Sequence, residues 1–208
     1  STHGGMVSGG GSTHYMIEDI ALMTSIVNMT VTAVSDPNMV RDLLNQSMDI
    51  PGPVYIRLSQ GKADQVLYQP GEHEIRIGKA ITARAGDDLT MITYGELVAQ
   101  CLDAAEELAK DGINARVIDM FTLKPVDKQA IIDAAQQTGR IMVVEDHLAY
   151  GGLASIVSDT LVDAGVSLQA FRRLGVPQVY AGFGSADELR DKHGFGLAAT
   201  IEAARNLV

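Results

Sequence analysis

From residue 89 onward the chain alternates short apolar runs with longer amphipathic ones, and glycines close the long runs. Few folds accept that pattern. Leu89–Tyr94 reads as a strand. Glu96–Lys110 reads as a helix, with Leu97, Val98, Cys101, Leu102, Ala105, Leu108 and Ala109 inward. Glu96, Gln100, Asp103, Glu106 and Lys110 fall on its outer face, where Glu106 and Lys110 have i,i+4 spacing. Gly112 ends it. Ala115–Met120 is a strand, Pro125–Thr138 a helix stopped at Gly139, and Arg140–Glu145 a strand. Gly152–Ala164 is a helix stopped at Gly165, and Leu168–Leu174 a strand. Ser185–Ala186–Asp187–Glu188 has the spacing of a capping box for a short helix ending at His193–Gly194. Leu197–Leu207 is the last helix. Strands separated by helix-length runs pair in parallel, with helices covering both faces of the sheet.

The front of the chain repeats the theme. Met29–Val34 is a β-branched strand, and Asp36–Pro37 has the residue types of an N-cap and first helical position. Val40, Leu43, Leu44 and Ser47 define that helix's inner face, Pro51–Gly52–Pro53 breaks it, and Val54–Leu58 is the next strand. Strand, helix, strand in this order is a parallel βαβ unit. Residues 59–74 are polar and turn-rich and read as a linker. A short strand pair is expected around Ile75–Ala85. The fold class is α/β: two three-layer domains with mostly parallel sheets, divided as 1–70 and 71–208.

Composition narrows the function. With 46% hydrophobic and 20% charged residues the chain is globular. It has no apolar run of membrane-spanning length and no signal peptide, so no membrane partner is expected. A net charge of −10 argues against nucleic acid. The single cysteine, Cys101, sits among apolar helical positions and reads as a buried structural thiol. With no disulfide framework, a cytoplasmic location is the default. His3, His14, His73, His147 and His193 are scattered without metal-ligand spacing, so no metal site is expected in this chain.

The stretch from His3 to His14 contains five glycines besides Met6, Val7, Ser8, Ser12 and Thr13, and Tyr15–Met16–Ile17–Glu18–Asp19 follows. Glycines allow sharp turns and close approach of backbone to a ligand. Ser12 or Thr13 has the chemistry to cap a helix whose Ile17, Ile20 and Ala21 face a core, which places His14 near a helix N-terminus.

Gly11–Ser12–Thr13–His14, with Ile17–Glu18–Asp19, Asn28–Met29–Thr30–Val31 and Asp36–Pro37 behind it, resembles the pyrimidine-binding domain of transketolase-type thiamine-diphosphate enzymes. Val143–Val144–Glu145–Asp146–His147 and Gly151–Gly152 resemble the family's C-terminal domain, so the resemblance covers essentially the whole chain. It implies that residues 1–70 are the C-terminal part of a pyrimidine-binding domain, incomplete at its N-terminus, and that 71–208 are the transketolase C-terminal domain. The chain is then a fragment or lacks its front end.

The resemblance also implies a site. His14 matches the histidine of the family's Thr-His pair, beside the reactive centre of the cofactor, with positioning and proton transfer as its role. Thr13 accompanies it, and His3 lies near the position that touches substrate phosphate. The family's aspartate and proline before Thr-His are Gly10 and Ser12 here, and its phosphate-clamping arginine is Gln60. Arg57 or Lys62 is then the compensating cation. These departures imply an unusual ketose rather than a classical pentose phosphate. Glu145–Asp146–His147 is assigned a structural role.

Thiamine diphosphate with Mg2+ or Ca2+ is implied for the complete enzyme and is not expected to be held by this chain alone. The partner is an N-terminal transketolase section or subunit, in a homodimer or heterotetramer, with a sugar or sugar phosphate as substrate. Two-carbon ketol transfer is the leading reading. A part resembling the β-subunit of a 2-oxoacid dehydrogenase, or deoxyxylulose-phosphate synthase, is the second. A non-catalytic dimerisation fragment is the third.

Overall fold

The computed structural model describes residues 2–6, 11–58 and 66–208. The front of the chain supplies β1 (Thr2–His3), α1 (Asp19–Ser25), β2 (Thr30–Ala33), α2 (Met39–Ser47) and β3 (Val54–Leu58). Then follow β4 (Ile81–Arg84), β5 (Leu89–Thr93), α3 (Leu97–Lys110), β6 (Ala115–Asp119), β7 (Thr122–Lys124), α4 (Lys128–Thr138) and β8 (Arg140–Leu148). The chain ends with α5 (Leu153–Asp163), β9 (Ala170–Val176), α6 (Ala186–Lys192) and α7 (Leu197–Arg205).

The strands form two sheets, ordered β1-β3-β2-β7 and β4-β6-β5-β8-β9. Each is parallel except for one antiparallel edge, β7 on β2 in the first and β4 on β6 in the second. The α/β reading with mostly parallel sheets therefore holds. Every residue of β5 is buried, as a strand covered on both faces requires.

Several local expectations need correction. Among the described residues one strand, not a pair, forms within 75–85, and it joins β6 across the sheet. β7 had no signal in the sequence, because three residues before a proline carry no periodicity. Yet Val31 and Thr32 of the first sheet pair with it. On α2 the inner face is Met39 and Leu43, while Leu44 is 50% exposed. The segment after residue 66 sets that face: Gln46 donates to the Ile75 carbonyl at 2.6 Å and accepts from the Ile77 N–H at 3.0 Å.

On α3, Ala109 is exposed, and Lys110 pairs with Glu107 at 2.5 Å instead of Glu106. Gln100, expected in solvent, donates to the Phe195 carbonyl at 2.8 Å and the Thr200 hydroxyl at 3.0 Å, docking α7. Glu96, also expected outside, accepts from Arg190 at 3.0 Å. The capping box at Ser185 forms in full. Cys101 is fully buried, and burial pushes its thiol up to about 12, as suits a structural residue.

The core is shared between the sheets. Ile20, Val31, Ala33 and Tyr55 from the first side cluster with Ile92, Tyr94, Ile118, Ile141, Val143 and Leu153 from the second. Burial of each large side chain contributes about 1.5–3 kcal/mol, so this shared cluster couples the two sheets strongly.

Candidate active site

The site is built on a loop that leaves the C-terminal end of β1. Thr2 and His3 lie in register with Arg57 and Leu58 of β3, and the Gly4 N–H donates to the Leu58 carbonyl at 3.0 Å. Gly5 then turns back at φ +83° and forms an isolated antiparallel bridge with Met16. This bridge is the neck of the loop. Gly11, at φ +81°, opens a 3-10 turn over Ser12–His14, closed by the His14 N–H on the Gly11 carbonyl at 2.9 Å.

The neck explains one correction. Pairing with Gly5 holds the chain at Met16 extended, with Tyr15 at φ −94° and ψ 148°. A helix cannot begin until the chain has left that bridge. α1 starts at Asp19 with Glu18 before it, so neither Ser12 nor Thr13 caps it, and His14 does not lie at its N-terminus. Ile17 and Ile20 are buried as expected, but Ala21 is only half-buried.

Thr13 and His14 are both exposed, and the Thr13 hydroxyl lies 2.9 Å from His14 Nδ1. That contact orients the ring and leaves Nε2 as its second proton-exchanging atom, with no partner among the described residues. His3 sits half-buried at the end of β1, on the other side of the neck. Gln60, Lys62 and Gly10 lie outside the described residues.

Arg57 is placed differently from the open clamp expected of it. It is 5% exposed, and its Nε donates to Asp19 Oδ2 at 2.7 Å. Its Nη2 donates to the Asp146 carbonyl at 2.8 Å and the Met16 carbonyl at 3.2 Å. Its guanidinium also lies 5.4 Å from the Tyr94 ring centroid. Asp19 Oδ2 further accepts from the Tyr55 hydroxyl at 2.8 Å, while Asp19 Oδ1 is buried without a partner among the described residues. Burial first, then the Asp19 charge, raises the Tyr55 phenol well above its ordinary value. Gly4 lets the guanidinium pack directly against the loop, since a Cβ would stand 2.2 Å from Arg57 Nε. The guanidinium thus fastens the neck of the loop from behind.

Glu145, Asp146 and His147 form the seam on the other side. Glu145 accepts from the Leu153 and Ala154 N–H groups at 2.7 and 3.0 Å and so caps α5. Burial, its largest influence, raises its pKa. His147 Nε2 accepts from the Ala21 N–H at 3.3 Å. Asp146 accepts from the Met6 N–H at 3.0 Å and from Arg190 at 2.9 Å. Sequence reasoning saw Asp19 only as part of the Ile17–Glu18–Asp19 motif and gave no role to Tyr55, Met6 or Arg190. Nothing in linear spacing announces contacts across 140 residues.

Among the described residues no group of three or more His, Cys, Asp or Glu side chains is placed to hold a metal ion. The hydroxyl and imidazole at Thr13 and His14 suit a polar heteroaromatic ring or a sugar hydroxyl. They do not suit a pyrophosphate with its cation. A recess of about 350 Å³ beside α2, lined by Asn38, Arg41, Tyr68 and His73 among others, contains none of the expected site residues.

Two mostly parallel sheets with intervening helices, and a tight turn at Gly11–His14 beside the first, define an α/β architecture. The chain belongs to the transketolase family: residues 1–65 match the transketolase pyrimidine binding domain and 78–199 the transketolase C-terminal domain. It is 36% identical over 206 residues to one of the subunits of the apulose-4-phosphate transketolase of Phocaeicola vulgatus, covering 99% of this chain and 65% of that protein. It is 33% identical over 204 residues to 1-deoxy-D-xylulose-5-phosphate synthase of Heliobacterium modesticaldum, covering 98% of this chain and 31% of that protein. The structure described as a split gene transketolase, inactive beta4 tetramer, superposes with a TM-score of 0.88 at 31% identity, covering all of this chain and 65% of that one. The chain thus spans less than two thirds of these relatives.

Proposed function

We propose that this chain is the C-terminal portion of a transketolase-like transferase, moving a two-carbon ketol unit between sugars with thiamine diphosphate and Mg2+. One observation carries the reading. In a chain of this family, the Thr13–His14 pair is exposed on a tight turn whose neck is fixed by buried ionic contacts. The division near residue 70, a cytoplasmic location, and assembly with an N-terminal section that holds the pyrophosphate end belong to the same proposal. When bound, thiamine diphosphate supplies the electron sink for carbon–carbon cleavage.

The residues of this chain have separate roles in that reading. Thr13 orients the His14 imidazole, and His14 Nε2 exchanges a proton with a hydroxyl of the donor or acceptor, or with the cofactor's ring. His3 and Gln60 are assigned to the substrate by the family resemblance alone. Arg57, which is buried, positions the loop and does not touch substrate. With Gly10 and Gln60 in place of the family's charged pair, the substrate is an unusual ketose.

Thiamine diphosphate with Mg2+ is titrated calorimetrically into this chain alone, then into the chain mixed with its N-terminal partner. Binding only in the mixture supports a composite site, and tight binding by this chain alone sinks it. The likeness to a deoxyxylulose-phosphate synthase favours a second reading, with pyruvate as donor. Turnover of a ketose but not pyruvate by the mixture supports the first reading, and the reverse supports the second. Absence of both, with cofactor bound, leaves a non-catalytic module.

A further inference from the structure

We infer that Asp146, in the second sheet, is a positioning residue for the turn that carries His14. Its catalytic consequence rests on the reading above, whereas its structural content stands on the contacts themselves. Gly4 is bonded to Leu58 of the first sheet, yet Met6, two residues on, is fixed to the second. Met6 is fully buried and belongs to the same core cluster as Met91, Val144, Leu174, Val176 and Phe195. Its N–H donates to Asp146 Oδ1 at 3.0 Å. The other oxygen of that carboxylate accepts from Arg190 of α6 at 2.9 Å, and Arg190 is held in turn by Glu96 at 3.0 Å.

Asp146 is therefore a buried anion with one oxygen on the loop and one on a fixed cation. A charged acceptor makes a stronger and more directional bond than a neutral one. The loop is shaped to fit it. A Cβ on Gly5 would stand 2.7 Å from the Asp146 carboxylate, and Gly5 is also at φ +83°. Three further contacts tie this segment and the residues beside it to the second half. The Leu148 N–H donates to the Ile17 carbonyl at 2.9 Å. The Asp146 carbonyl accepts from Arg57 at 2.8 Å. The Phe183 ring lies over Gly11, where a Cβ would stand 2.3 Å from it. Burial first and the Asp146 charge second raise the phenol of Tyr15, the residue next to His14. The second half thus anchors the chain on both sides of the His14 turn, at Met6 before it and at Ile17 after it.

The test uses the full chain and needs no cofactor for its first part. Amide exchange of Gly5, Met6 and His14 is followed by NMR in the wild type, Asp146→Ala and Asp146→Asn. In the wild type the Met6 amide is expected to be as protected as that of Leu148, and an unprotected Met6 amide overturns the proposal whatever the variants do. In Asp146→Ala all three amides should exchange about tenfold faster, the change that loss of a hydrogen bond to a charged acceptor brings, with the α3 amides unchanged. Asp146→Asn keeps an acceptor and should stay within about threefold of wild type. Equal acceleration in α3, or none in the loop, overturns the proposal.

In the second part the variants are assembled with the N-terminal partner. Asp146→Ala should lower kcat about tenfold with KM within about twofold, and Asp146→Asn should recover most of it. A fall confined to KM overturns the positioning role. Full activity of His14→Ala in the same assay would instead defeat the functional reading, and the exchange data then decide the role of Asp146 alone.

Discussion

At His14 the imidazole is exposed, and a neighbouring hydroxyl 2.9 Å away fixes its orientation. His14→Ala in the assembled enzyme should reduce kcat/KM by about 10²-fold or more, the usual contribution of a placed proton-transfer group. Steady-state rates with a ketose donor check this. Asp119 makes a second residue-level prediction. It is fully buried at the end of β6 and accepts from Ser35 at 2.8 Å and Tyr68 at 3.0 Å. Burial, opposed by those two bonds and assisted by the Asp36 charge, pushes its carboxyl up from 3.8 to about 7. Between those values the folded protein holds a proton that the unfolded chain has released. Asp119 therefore imposes no cost below about 3.8, and stability declines as pH rises through 7. Thermal melts from pH 5 to 8 should show this decline in the wild type and a smaller one in Asp119→Asn. Equal slopes in both would refute it.

Among the elements, α5 depends on a cap from outside its own segment. Gly152 precedes it without a side-chain cap, and the Glu145 carboxylate takes the first two N–H groups. A Cβ on Gly152 would meet Glu145 Oε2 at 2.0 Å, so the glycine and the glutamate are a matched pair. Glu145→Ala should cost about 2–3 kcal/mol, the scale of buried hydrogen bonds to a charged acceptor, measured by urea unfolding. Ser185→Ala, which opens the α6 capping box, should cost about 1 kcal/mol. The α6 cap was legible in the sequence because Ser185 and Glu188 act within one turn. The α5 cap was not, because its acceptor precedes the helix by eight residues. The same distinction separates the well-placed strands Val54–Leu58 and Leu89–Thr93, long enough to show a pattern, from β7, which gains its identity only by pairing with β2.

Across the whole molecule, the two sheets share one core and one ionic seam, from Asp19 through Arg57 to the Asp146 carbonyl. They should unfold together. Far-UV circular dichroism and tyrosine fluorescence should give coincident urea transitions, and two separated transitions would contradict the shared core. Asp19→Ala leaves the Arg57 guanidinium buried without its carboxylate, so it should destabilise the protein by about 3–5 kcal/mol and move both probes equally. A shift in only one probe would mean that the seam does not couple the sheets.

The sequence by itself determined the α/β class, most strands and helices, the glycine-stopped ends and the Thr13–His14 pair. Each depends on residues within a turn or two of one another, where periodicity and capping chemistry act. The tertiary structure alone decided that Arg57 is a buried brace, that Gln100 and Glu96 face neighbouring helices, and that Asp146 holds Met6. Those outcomes depend on which surfaces meet when the sheets pack. A buried charge settles where a partner from a distant segment offsets its desolvation, and local spacing carries no record of that partner.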